Sequence, residues 1–156
     1  MDKKVFRLGN ILVPVDFSDC SDKAVEYAVS FARQFGARIL LLHVVQPYIP
    51  APEMTNIDTD VLNSGAREGA EKELAKLAKS LDPALAVETE LRFGNPHVEI
   101  VQAAKEDNAD LIIIPTHGRS GLAHLFLGGT AERVVRHAGC PVLVVRENEH
   151  EFIAAE

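Results

Sequence analysis

Cysteine is scarce in this chain, Cys20 and Cys140 being the only two. They are too few for a disulfide framework, and their spacing matches no metal-binding pattern. Long apolar runs are also missing. Ile39–Leu42 and Leu111–Ile114 fall far short of the roughly 20 residues that cross a bilayer. Positive charge is in deficit, with 16 Lys and Arg against 23 Asp and Glu and a net charge of −7. Such a surface repels nucleic acid, whose binders are normally basic, yet it leaves room for a small anion in a locally favourable pocket. The start, Met1-Asp2-Lys3-Lys4, lacks the apolar core of a secretory signal, so the expected location is the cytoplasm, with no membrane and no nucleic acid as partner.

The 156 residues fit one domain, expected over 1–156, and 47% hydrophobic with 25% charged residues is a globular balance. Strand and helix patterns alternate along the chain. Asn10–Val15 is a short apolar run ended by Asp16, and Ser18 stands as a helix N-cap. Ala24, Tyr27, Ala28, Phe31, Ala32 and Phe35 recur at helical spacing, and Gly36 closes that helix. Arg38–Val45 is apolar at nearly every position, as in a strand covered on both faces. Gln46–Asp60, with three prolines, is a long loop in which Tyr48, Ile49 and Met54 are candidates to cover a ligand or a partner. A helix is predicted over Val61–Leu81, with Ala66, Ala70, Leu74, Leu77 and Leu81 on one stripe. Ala86–Phe93 alternates in the manner of an edge strand. Asn95-Pro96 opens another helix, and Asp110–Ile114 is a buried strand. Thr130–Ala138 is a short helix, Pro141–Arg146 the last strand, and Glu147–Glu156 an acidic tail expected to fray.

Strands separated by helices imply parallel pairing, right-handed crossovers and helices on both faces. Ligands of such sheets bind beyond the carboxyl ends of the strands, where the strand order reverses. Two groups of residues stand there: Pro14-Val15-Asp16, and the stretch from Ile114 and Pro115 through Thr116-His117-Gly118-Arg119-Ser120 to Gly128-Gly129-Thr130. Glycine lets a main chain approach a ligand closely, and the helix that follows begins with free N–H groups that suit phosphate. Arg119 is the candidate for a charge-assisted phosphate contact, while His117 is expected to pack and orient the loop. Asp16 could accept from a ribose or, equally, satisfy donors at the helix start with Ser18. Cys20 falls in a helix first turn, where thiolate is favoured; Cys140 is expected to be buried and inert.

Ile11-Leu12-Val13-Pro14-Val15-Asp16-Phe17-Ser18, Leu41-Leu42-His43-Val44, Gly94-Asn95-Pro96, Thr116-His117-Gly118-Arg119, Gly128 and Cys140-Pro141-Val142-Leu143-Val144-Val145 occur in an order that resembles the universal stress protein family. The resemblance spans Leu8–Arg146. It implies a three-layer α/β/α fold of flavodoxin-like type, with a five-stranded parallel sheet of order 3-2-1-4-5. It implies also a homodimer joined through the last strand, Val142–Val145, whose apolar edge would invite association. In one branch it implies ATP, or ADP or AMP, with Mg²⁺ carried on the phosphates. Adenine and ribose contacts then map to Pro14, Asp16 and Val44. The glycine loop of that branch maps onto Gly118 and Gly128, with nine residues between them. Pro115 stands where a first glycine belongs and Gly129 where a serine or threonine belongs. The other branch, a dimeric interaction module that does not bind ATP, is the alternative. No catalytic dyad is evident around the loop, so at most slow ATP hydrolysis or autophosphorylation at Ser120 or Thr116 is expected. A phosphorylated receiver is excluded by Phe93 and Arg146 in the neighbourhoods where it needs an aspartate and a lysine. A flavin role would want a hydroxyl-rich loop directly after the first strand, of which Asp16-Phe17-Ser18 is a poor version.

Overall fold

The computed structural model describes residues 5–50, 58–117, 127–147 and 150–153. In chain order these form β1 (Asn10–Pro14), α1 (Asp19–Phe35), β2 (Arg38–Val45), α2 (Thr59–Ser80), β3 (Val87–Phe93), α3 (Pro96–Glu106), β4 (Leu111–Pro115), α4 (Gly129–His137) and β5 (Val142–Val145). The strands make one parallel sheet of order β3-β2-β1-β4-β5, the order that the family resemblance implies. Alternation along each strand divides the core in two. Ile11, Val13, Ile39, Leu41 and Ile113 face α1 and α2. Leu12, Leu40, Leu42, Ile112 and Ile114 face α3 and α4.

Local chemistry sets the helix ends. The Ser18 hydroxyl accepts from the Ser21 N–H, and Gly36 adopts a left-handed φ of 69° while its N–H bonds Ala32 O. Asp58 caps α2 through Asp60 and Val61 N–H, so the helix begins two residues before the predicted Val61. Two stripes run past the sheet that they cover. Ala66 is exposed where the periodicity placed it in the core, and only Ala70 and Leu74 of α2 are buried. A helix of 22 residues is about 33 Å long, more than the strands beneath it can cover. Likewise Phe35 is 43% exposed at the end of α1, its ring 5.0 Å from that of Phe6.

Part of the tail expected to fray is docked. The Phe152 ring lies 5.1 Å from Tyr27 and 6.2 Å from Phe31, Ile153 packs on the α1 side of the core, and Glu151 pairs with Lys23. Lys23 also donates to Glu147 O.

Polar groups close the sheet at the amino ends of its strands. One Asp110 carboxylate oxygen accepts from Gly9 and Asn10 N–H at 2.8 and 2.9 Å. Arg38 bridges Glu88 and Asp107, and hydrogen bonding to Asp107 foremost raises its guanidinium pKa above the ordinary value. Asp110→Ala removes an ionised acceptor from two backbone donors. It is expected to lower unfolding free energy by about 1–3 kcal/mol, read as a smaller midpoint in urea with an unchanged denaturant slope.

Candidate functional site

The carboxyl ends of β1 and β4 do not pair. Between these strands the register covers Ile11↔Leu111 and Leu12↔Ile112 only, whereas β1 stays with β2 to Pro14↔Leu42 and β4 with β5 to Pro115↔Val145. Two prolines account for it. Val15 N–H bonds Leu42 O on β2, so by alternation the donor that Pro14 lacks faces β4. Thr116 N–H bonds Val145 O on β5, so the donor that Pro115 lacks faces β1. Both missing donors fall on the same seam, and no ladder can continue along it. Pro115 therefore terminates a strand pairing. Pro14 shares a sheet face with Leu12, and Val44 and Ile114 join the same layer. The residues mapped to adenine contact thus stand together on the α3 and α4 side of the opened seam.

On leaving β1 the chain turns at Phe17, a non-glycine residue at φ 62°. The Phe17 ring packs on the His43 imidazole at 4.6 Å between centroids, and His43 Nδ1 lies 2.7 Å from Val15 O. A carbonyl only accepts, so that nitrogen carries the proton. This support offsets an αL cost on the order of 1 kcal/mol. Asp16 Oδ1 accepts from the Ser18 N–H at 3.1 Å and from its hydroxyl at 2.5 Å. Satisfying donors at the helix start, one of the two roles open to Asp16, is realised, and it fixes the carboxylate at the seam. The left-handed turn at Phe17 and its support by His43 could not be read from the sequence, because nothing local marks a phenylalanine as left-handed.

At the end of β4, Thr116 is 7% exposed, and its Oγ1 lies 3.0 Å from His117 Nδ1. His117 Nε2 is buried and has no hydrogen-bond partner among the described residues. Thr116 O accepts from the Gly128 N–H at 2.8 Å, which closes the loop onto the strand. Gly128 is the N-cap of α4 and has no side chain to occupy the free N–H groups of the first turn. A Cβ on Gly128 would stand 2.6 Å from Thr116 O, whereas one on Gly129 would meet nothing within 4 Å. Gly128 is thus required by the protein's own backbone, a reason independent of any ligand. Gly129 and Thr130 form the exposed start of α4.

The structure gathers Pro14, Asp16, Val44, Ile114, Pro115, Thr116, His117, Gly128, Gly129 and Thr130 at the carboxyl edge of the sheet. Gly118, Arg119 and Ser120 lie outside the described residues, as does Met54. Tyr48 and Ile49 are exposed, and Tyr48 N–H donates to the Asn63 side chain at 3.1 Å. A shallow cavity of about 330 Å³ lies at the neighbouring sheet edge, lined by Asp60, Asn63, Ser64, Arg67 and Phe93. The Arg67 guanidinium sits 4.7 Å over the Phe93 ring there. Cys20 is buried. Cys140 is only half-buried where full burial was expected, and burial, with the nearby Asp110 charge, pushes its thiol up. That is the direction of an unreactive sulfur. No group of three or more metal-ligating side chains occurs among the described residues, and none of their helices is long and apolar enough to cross a membrane.

Residues 8–146 match the family described as Universal stress protein family. Universal stress protein MJ0531 of Methanocaldococcus jannaschii is 36% identical over 145 residues, 90% of this chain and 84% of that one. Among solved structures, protein MJ0577 of the same organism superposes with a TM-score of 0.80 at 28% identity, covering 93% of this chain and 100% of the other. A universal stress protein crystallised in complex with cAMP superposes with a TM-score of 0.58 at 28% identity, covering 90% and 98%.

The contact between Gly128 and Thr116 separates two adjacent glycines experimentally. Gly128→Ala must push the start of α4 off the strand and is expected to cost about 1–3 kcal/mol. Gly129→Ala should cost almost nothing or stabilise slightly, since helix propensity favours alanine. Thermal denaturation of the two variants provides the comparison, and equal melting temperatures would contradict the placement of Gly128.

Proposed function

The chain belongs to the universal stress protein family, and from that membership we propose that it is a cytoplasmic regulatory protein that binds an adenine nucleotide, ATP by preference. The nucleotide would lie across the ends of β1 and β4. The observation that carries this reading is the coincidence of an opened β1–β4 seam with the uncapped N-terminus of α4. The seam is bordered by Pro14 and Ile114, with Val44 of β2 in the same apolar layer, and a flat base would lie against these residues. Asp16 would accept from ribose hydroxyls, and the first-turn N–H groups of α4 would suit phosphate. Mg²⁺ would be carried on the phosphates. A relative in complex with cAMP supports adenine nucleotides as the ligand class.

Gly118, Arg119 and Ser120 would complete the phosphate seat. The output would be a nucleotide-dependent conformation or partner choice, with rapid chemistry absent. Thr116 is a poor phosphoryl acceptor, because it is buried and its hydroxyl is engaged with His117. The proposed assembly is a homodimer through β5. That strand has β4 on one side only, and Val142, Leu143 and Val144 remain partly accessible.

The second reading, a dimeric interaction module without ATP, draws on Pro115 and Gly129. Each lacks a group that a phosphate could use, worth about 1 kcal/mol, or roughly fivefold in affinity. Gly129 has room for a side chain, so Gly129→Ser adds a hydroxyl without a clash. Calorimetric titration of nucleotide-free protein with ATP, ADP and AMP, with and without Mg²⁺, should give saturable binding in the wild type. Gly129→Ser should bind ATP about fivefold more tightly. Absence of heat with every nucleotide in both proteins would favour the second reading. Val144→Lys should yield monomers in sedimentation equilibrium while the fold persists. A wild type that is monomeric at high concentration would remove the dimer from the proposal.

A further inference from the structure

Away from the seam, His97 in the first turn of α3 and His137 in the last turn of α4 face one another with ring centroids 6.3 Å apart and planes inclined by 43°. They come from helices 40 positions apart in sequence, and no hydrogen bond joins them. His137 Nδ1 lies 2.8 Å from Arg133 O. Because a carbonyl only accepts, Nδ1 bears the proton and Nε2 of the neutral ring keeps its lone pair. Metal-binding histidines are typically fixed in this way, one ring nitrogen tied to a backbone carbonyl and the other presented to the ion. With metal–nitrogen bonds of roughly 2.0–2.1 Å, two imidazoles sharing one cation have centroids roughly 5–6 Å apart. The observed 6.3 Å lies slightly beyond that range, and His97 is half-buried. His137 is exposed, so an ion has free access. Arg136, the neighbouring cation on α4, is engaged by Glu132.

We propose that His97 and His137 form a two-imidazole site for a divalent transition cation, of the class that binds nitrogen ligands (Zn²⁺, Ni²⁺ or Cu²⁺). Water would complete the coordination sphere. The ion would tie α3 to α4, and therefore to the helix that begins at Gly129. The site does not depend on nucleotide binding.

The test uses the full chain without a polyhistidine tag, titrated with Zn²⁺ and with Ni²⁺ by calorimetry. One equivalent should bind per chain, and saturating Zn²⁺ should raise the melting temperature, because only the folded state brings the two rings together. His97→Gln and His137→Gln should each weaken binding about a hundredfold or more, as expected when one of two linked ligands is lost. Each should also abolish the thermal shift. His150→Gln should change neither. His137 is exposed, so its variant carries little risk to folding, and circular dichroism of the metal-free variants verifies the fold. Wild-type affinity in the folded His137→Gln protein, or an equal loss on His150→Gln, would overturn the site.

Discussion

Everything at the carboxyl edge of the sheet follows from two backbone N–H groups that do not exist. A parallel sheet is held by an unbroken sequence of donors and acceptors, and its central seam is normally its most continuous. Here Pro14 and Pro115 remove one donor each from opposite sides of the seam between β1 and β4, and pairing stops at Leu12↔Ile112. Both strands remain anchored by their outer neighbours, β2 and β5, so the loss ends the β1–β4 ladder and leaves the sheet intact. The strand order reverses at the same seam. Topology alone places a crevice here, and the prolines ensure that the strands cannot close it.

The two ends of the sheet are built oppositely. At the amino ends, Asp110 binds two backbone donors, and Arg38 joins β2 to Asp107 at the end of α3 and to Glu88 on β3. A second guanidinium, Arg92, gathers Glu90, Glu99 and Glu106 between β3 and α3, and holds its pKa above the ordinary value against burial. Charge is therefore spent on holding helices against strands along one side and one end. At the carboxyl ends, side-chain oxygens cap backbone donors at α1, but among the described residues none caps α4. The start of α4 is fastened instead by one backbone hydrogen bond, from Gly128 to Thr116. Fastening a helix through its backbone leaves its first-turn donors available, which a side-chain cap would not.

Much of this was legible in the sequence because it is local chemistry. Ser18, Gly36 and Asn95-Pro96 mark helix boundaries through capping and φ restriction, and the apolar strands announce a doubly covered sheet. Misreadings arose where the deciding factor was distance along the fold. Ala66 and Phe35 obey helical periodicity, yet lie beyond the strands that would bury them. Phe17 is left-handed against its residue type, because His43, brought alongside by β2 and tied to Val15 O, supports it. Phe152 and Ile153 stand in a stretch whose composition is that of a solvated tail. They dock because α1 presents Tyr27 and Phe31 to them. Cys140, adjacent to an apolar strand, keeps partial exposure because it precedes the edge strand β5.

The same distinction changes the meaning of the two departures in the glycine loop. Read as a pattern, Pro115 and Gly129 are equivalent losses, each one group short of a phosphate-binding consensus. In the fold they differ. The N–H that Pro115 lacks would point into the seam toward β1, where a ladder donor would draw the strands together. The proline therefore ends a strand pairing. Gly129 sits in open space at the first position of α4, makes no contact that a side chain would spoil, and lacks only a hydroxyl. Gly128, which fits the pattern, is fixed for a reason that the pattern does not contain: the Thr116 carbonyl leaves no room for a Cβ. A residue can thus match a binding motif while serving the backbone, and depart from it while shaping the crevice. The geometry of the β1–β4 seam distinguishes the two cases.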